Sequence, residues 1–370
     1  MGENLTSIPK MDWLEGRRRL IEWFKTQHRP LPWREAPHPY ATWLCEIIMQ
    51  QTRIDQGTAY WHRFMDEWPT VEALANASEE SVLKAWQGLG YYSRARNLHR
   101  AAQLIAHDWG GRFPTNAKAW QEVPGVGPYT SAAIASICFG DPVPAIDGNV
   151  LRVLSRYLDV REPIDRPAGR SPIEEFATEW LDEANPGQHN EALMELGALI
   201  CTPRTPACSA CPLAASCRNA QREDGSTPEV PLKAGKTKVL HEDWTFHVLT
   251  DGTSVWMRER PSPGIWGGLW EFPSTIGAFN FDSEHVPEIL QAAGIREGVQ
   301  SRGAWGESFE HILSHRKLKC TVRLWEPRGA VVPLEGRWLS WDEASKLAIP
   351  RAIDRIWQAL EKSQSSNALS

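Results

Sequence analysis

The sequence predicts a multidomain chain: an all-α domain over residues 11–220, a linker at 221–238 and an α+β domain over residues 239–362. Three observations carry this. Residues 11–220 read as successive amphipathic helical patterns divided by short Pro, Gly and Asn punctuation, without the alternation of a half-buried strand. Across 221–238 the apolar periodicity disappears and Gly, Pro and Lys accumulate, as in a linker. Beyond it, residues 244–249, 254–258, 318–325 and 337–339 have the β-branched and aromatic content of strands, whereas 287–293 and 341–347 have helical patterns.

A length of 370 residues with 42% apolar content is enough for two hydrophobic cores. No run of eighteen apolar residues occurs and the N-terminus lacks a charged segment followed by an apolar one, so a cytoplasmic protein without membrane contact is expected. The net charge of -6 does not announce a nucleic-acid binder. Locally, Arg94, Arg96 and Arg100 stand beside Tyr91 and Tyr92 in a stretch with no acidic residue between Glu80 and Asp108, which fits either a nucleic-acid contact or a solvated helix face.

In chain order, Glu46 is the first candidate for chemistry. It interrupts the apolar helical stretch of Trp43, Leu44, Ile47 and Ile48, where a carboxylate is costly unless protonated or paired with Arg34 or Arg53. Next comes Val123-Pro124-Gly125-Val126-Gly127-Pro128, between two helical runs. Its glycines let backbone N–H groups approach a phosphate and Pro128 suits the first turn of a helix, although the same residues make an ordinary turn. Asp147 precedes the helical pattern of Val150, Leu151, Val153, Leu154 and Leu158, the place of an N-cap. Cys45, Cys138 and Cys320 sit singly in apolar surroundings and are expected to be buried packing. Cys201, Cys208, Cys211 and Cys217 are spaced C-x6-C-x2-C-x5-C with Pro203, Pro206 and Pro212 between them, a compact four-thiolate loop suited to an iron–sulfur cluster or zinc. The paired C-x2-C knuckles of a zinc ribbon are missing.

Hairpin, Asp147 and cysteine loop, in this order, resemble the helix-hairpin-helix glycosylase superfamily related to endonuclease III, over roughly residues 20–220. The resemblance implies a six-helix barrel with an iron–sulfur helical module, one 4Fe-4S cluster on the four cysteines, and base excision repair of DNA. In bifunctional members a lysine stands two places after the second hairpin glycine and forms an imine with the sugar; here that place holds Tyr129, which cannot. The segments 31–34 (Leu-Pro-Trp-Arg), 46–53, 88–94 and 190–193 resemble the MutY-type adenine DNA glycosylases. By this resemblance the activity is monofunctional removal of adenine mispaired with 8-oxoguanine or guanine in duplex DNA. Glu46 would protonate adenine N7, Asp147 would stabilise the sugar cation, and Tyr129 and Asn149 would position the groups. Leu31, Trp33, Arg34, Ile54 and Glu191 would line the adenine pocket, Gln51 and Tyr91 would fill the vacated stack, Thr52, Leu89 and Ser314 would contact the lesion, and the amides of Gly125, Val126 and Gly127 would hold phosphates. A nucleoid-associated monomer is implied, with a sliding clamp or other repair proteins as partners. Alternatives are an endonuclease III-like glycosylase/lyase for oxidised pyrimidines and a non-catalytic lesion-binding scaffold.

Residues 266–274 resemble the strand and turn entering the hydrolase helix of Nudix proteins. Against that pattern, 287–295 retains Glu288, Gly294 and Ile295 but places Gln291 and Ala292 where metal-binding glutamates belong, so base recognition without nucleotide hydrolysis is expected. The family's Phe-Ser-His reading loop becomes Leu313-Ser314-His315, which keeps two hydrogen-bonding groups and loses the stacking aromatic.

Overall fold

The structure, a computed structural model, describes residues 10–35, 37–221, 229–235, 239–277 and 285–367. It divides into two units, residues 1–76 with 97–236 and residues 77–96 with 237–370.

The first unit is helical among the described residues. Its elements are α1 (Lys10–Gln27), α2 (Pro32–Glu35), α3 (Pro39–Met49), α4 (Ile54–Glu67) and α5 (Val71–Ala75). After residue 96 follow the rest of α7 (Ser93–Gln103), a π-helical turn at Leu104–Asp108, α8 (Ala117–Trp120), α9 (Pro128–Phe139), α10 (Gly148–Leu158), α11 (Pro167–Trp180) and α12 (Pro186–Leu199). Proline at the first helical position starts α3, α9, α11 and α12, where its missing N–H has no partner to lose. One core joins Leu20 and Phe24 of α1, Val153, Leu154 and Tyr157 of α10, Trp180 of α11 and Leu193 and Leu196 of α12, with Leu213 inserted from the cysteine loop. The described middle of the linker is bonded to this unit: Val230 is buried and its carbonyl accepts from Arg156 Nε at 2.7 Å, while Leu232 accepts from Ile164 N–H at 3.0 Å. Residues 222–228 and 236–238 of the expected linker lie outside the described residues.

In the second unit β1 (Leu240–Thr250) pairs in parallel with β7 (Arg316–Pro327), and the sheet runs β3 (Trp270–Glu271), β2 (Ser254–Glu259), β1, β7, β5 (Val299–Ala304). β4 (Ser274–Ile276) adds to β1, β6 (Phe309–Ile312) to β7 and β8 (Arg337–Ser340) to β2. Alternation along β1 sends Trp244, Phe246 and Val248 towards α15 (Arg351–Asn367), while Leu249 packs with Trp325 and Leu290 of α13 (Glu288–Ala292), so the sheet is covered on both faces. The expected strands and both expected helices are present, the latter as α13 and α14 (Trp341–Ser345). The strand expected within 266–274 is present as the two residues of β3, whereas β4, β5, β6 and α15 were not anticipated. Residues 77–96, assigned to the first domain by sequence, group with this unit: they carry α6 (Glu79–Ala85), whose Lys84 Nζ donates to the carbonyls of Ser345 and Leu347 at 2.7 and 3.0 Å.

Candidate active site and cysteine loop

Apolar neighbours set the state of Glu46. Trp43, Leu44, Cys45, Ile47 and Ile48 of α3 are all buried, and burial raises the half-buried Glu46 carboxyl to about 7. Hydrogen bonding from Tyr129 opposes the rise, the charges of Asp147 and Glu191 add to it, and Arg34 subtracts. Near neutral pH this group can therefore give up a proton. Tyr129, at the second position of α9, is moved well above the usual phenol range by its burial and by the charges of Glu46 and Asp147, so it remains a neutral hydrogen-bonding group; its hydroxyl also lies 3.2 Å from Met194 Sδ.

Asp147 caps α10 as the sequence predicts: Oδ1 accepts from Val150 N–H at 2.7 Å and Oδ2 from Asn149 Nδ2 at 2.7 Å. An N-cap's backbone donors favour the ionised carboxylate. Burial is the larger effect, and the carboxyl is moved up despite the donors of Val150 and Asn149. Arg152 extends this network, donating Nη2 to Asn149 Oδ1 and Gly197 O, both at 2.8 Å, and Nε to Cys201 O at 2.8 Å.

Glu46, Tyr129, Asp147, Asn149, Arg34 and Glu191 are thus brought into one electrostatic cluster. Of the other pocket residues, Leu31 is buried at the turn into α2, Trp33 packs edge-on against Trp61 at 5.7 Å, and Ile54 opens α4. Thr52 is half-buried, and Gln51 is exposed with φ 55°. In the second unit Leu89 is buried, and exposed Tyr91, with φ 48°, hydrogen-bonds Ser314 through its hydroxyl. Both residues expected to fill the stack are therefore held left-handed without being glycine, strain of the kind that functional sites retain. His315 is exposed, whereas Leu313 packs against the second unit's core and is not available as a wedge. Gln291, at a lost metal-ligand position, uses its amide to bond Val286 O at 2.6 Å.

In the hairpin, Gly125 has φ +80° and a Cβ there would meet Asn97 Cβ at 2.7 Å, so both backbone and packing demand glycine. Gly127 has an extended backbone, and nothing lies within 4 Å of its missing Cβ. Val126 is buried between them.

The four loop cysteines are unbridged and half-buried, and Cys201, Cys211 and Cys217 pack against the core of the first unit. Burial raises the thiols of Cys208, Cys211 and Cys217, and the charges of other cysteines in the set add to the rise. Among the described residues no three His, Cys, Asp or Glu side chains converge tightly enough to hold one metal ion. Four half-buried thiols on one loop are the donor set of an iron–sulfur cluster or of a tetrahedral zinc site. Fully buried Arg156 fixes the loop, donating to Thr202 O at 2.7 Å, Pro203 O at 2.9 Å and Cys201 Sγ at 3.4 Å. Cys45 and Cys320 are buried as expected; Cys138 is only partly so.

Sequence reasoning missed Glu195, Arg29, Arg152 and Arg156. A signal existed: Glu191 and Glu195, and Arg152 and Arg156, are like charges four apart on helices whose other inward positions are apolar.

Residues 44–178 match the model of the HhH-GPD superfamily of base excision DNA repair proteins, 201–217 that of the iron–sulfur binding domain of endonuclease III and 245–359 that of the NUDIX domain. The adenine DNA glycosylase of Mus musculus is 32% identical over 93% of this chain and 78% of its own length, and that of Homo sapiens 31% over 94% and 74%. A solved thermostable thymine-DNA glycosylase covers 57% of this chain and 97% of its own, with 26% identity and a TM-score of 0.52.

Proposed function

The chain belongs to the adenine DNA glycosylase family, and from that premise we propose that its preferred substrate is adenine opposite 8-oxoguanine in duplex DNA, released through Glu46 and Asp147. It is an enzyme of base excision repair that binds DNA, and Cys201, Cys208, Cys211 and Cys217 hold one 4Fe-4S cluster. The cluster ties the loop together; the chemistry falls to the residues of α3, α9, α10 and α12.

An N-glycosidic bond inside a stacked duplex is out of reach, so adenosine must be extruded into the pocket. Glu46, raised to about 7, is the observation that carries the reading: it is protonated often enough near neutral pH to donate to N7 and turn adenine into a neutral leaving group. Asp147, oriented by Val150 N–H and Asn149, faces the positive charge that develops on the sugar, and water completes an abasic site. Tyr129 takes the lysine position without a nucleophilic amine, which supports base removal without strand cleavage. Lesion reading is assigned to Ser314, with Tyr91 as its hydrogen-bonding neighbour, and to His315.

The test is single-turnover adenine release from duplexes with one central A:8-oxoguanine or A:G pair, using wild type and Ser314→Ala. Wild type should favour 8-oxoguanine and the variant should narrow that preference. Equal wild-type rates on both pairs would remove lesion preference, and an unchanged ratio would remove Ser314 from it.

A further inference from the structure

Glu191 and Glu195 stand one turn apart on α12, beside buried Ala192, Leu193 and Leu196. Like charges at this spacing repel, and burial makes the repulsion harder to screen. Arg34 bridges them, with Nε donating to Glu191 Oε1 at 2.9 Å and Nη2 to Glu195 Oε2 at 3.1 Å. The bridge is unequal. Glu195, 1% exposed, also takes Arg29 Nη2 at 2.6 Å and both Arg29 Nε and Arg29 N–H at 2.8 Å. The acids are driven apart: these hydrogen bonds outweigh burial and bring Glu195 down to about 2, whereas burial moves Glu191 up.

We propose that Glu195 is a positioning residue: by holding Arg29 and Arg34 it withholds their positive charge from Glu191 and Glu46, so that Glu46 keeps its proton where the reaction needs it. This rests on the reading of Glu46 as proton donor. The groups acting on Glu46 are Tyr129 from α9, Asp147 at the start of α10, Glu191 from α12 and Arg34 from α2, so Arg34 is the cation in that set. Glu195 itself faces Arg29, Arg34 and Glu191, with His28 acting on Glu191 and Asp55 on Arg29. Neutralising Glu195 leaves Arg34 to Glu191 and Arg29 to the charge of Asp55, which stabilises the Glu191 and Glu46 carboxylates and lowers the pH at which Glu46 loses its proton.

The experiment is the pH profile of single-turnover adenine release from A:8-oxoguanine duplex by wild type, Glu195→Gln, Glu195→Asp and Arg29→Met. In wild type the rate should fall as pH rises through about 7. Glu195→Gln should move this limb down by roughly half to one unit, a three- to tenfold loss at high pH with little at low pH, and Glu195→Asp should restore it. Arg29→Met, which leaves Glu195 less compensated, should move the limb up. Should Glu195→Gln not fold, Arg29→Met decides by its sign, because Arg29 is 32% exposed and tolerates replacement better. A uniform loss at every pH, an unmoved limb, or both variants shifting it in the same direction would overturn the proposal. Absence of adenine release by wild type would instead defeat the reading of Glu46.

Discussion

A carboxyl raised to about 7 in the native state and ionising near 4.5 when unfolded makes Glu46 a liability as well as a tool. Between those values the native state binds more protons than the unfolded state, so the contribution of this residue is fully present below about pH 4.5 and is lost as pH rises through about 7. Glu46→Gln removes both the proton and the cost. The variant should lose adenine release, gain roughly 1–3 kcal/mol of stability at pH 8 and gain almost nothing at pH 4. Calorimetry at the two pH values with base release alongside checks this; equal unfolding temperatures at pH 8, or normal release, would show that Glu46 is neither strained nor the acid. Its burial was legible in the sequence because four apolar neighbours surround it at helical spacing. The balance at Asp147 was not, since cap and burial act in opposite directions and only packing decides which is larger.

At the scale of elements, the hairpin contains two glycines that look alike in sequence and are kept for different reasons. Gly125 is held by its own protein, through a left-handed backbone and the nearby Asn97, whereas Gly127 faces open space with a backbone any residue adopts. Gly125→Ala should therefore destabilise the fold by about 1–2 kcal/mol. Gly127→Ala should leave the unfolding temperature unchanged and weaken duplex binding several-fold, because its methyl group occupies the space a phosphate would enter. Anisotropy titrations with duplex DNA beside thermal melts separate the two, and full affinity in Gly127→Ala would take the hairpin out of the DNA interface. The helices of the first unit were legible because proline and cap residues punctuate them. In the second unit β5 carries a register shift between Ser301 and Gly303 and β3 is two residues long, so neither leaves a period-two pattern to read. α15 has Ile353, Ile356, Trp357 and Leu360 at helical spacing and could have been found.

At the scale of the whole molecule, sequence order is an imperfect guide to which residues stand together. Residues 77–96 belong with the C-terminal unit through Lys84, Tyr91 and Tyr92, contacts made more than two hundred positions away that no local pattern encodes. The cysteine loop shows the opposite case: its spacing announced a four-thiolate metal site and the family resemblance implied the cluster, but neither said what the loop does for the fold. Between Cys201 and Cys217 the regular structure consists of short 3-10 turns at Cys208–Ala210 and Ala214–Ser216, yet the loop supplies Leu213 to the core and the carbonyls that hold fully buried Arg156. A guanidinium buried without those acceptors costs several kcal/mol, so the loop has to be cross-linked by something stronger than its turns. Cys211→Ser should therefore lose the cluster's visible absorbance, lower the unfolding temperature by roughly 5 °C or more and weaken duplex binding, all three together. Absorbance, calorimetry and anisotropy on the purified variant make the check. A protein that lost its colour but kept its unfolding temperature would mean that Arg156 and the loop are held by the polypeptide alone, and that the cluster has no part in stabilising the first unit.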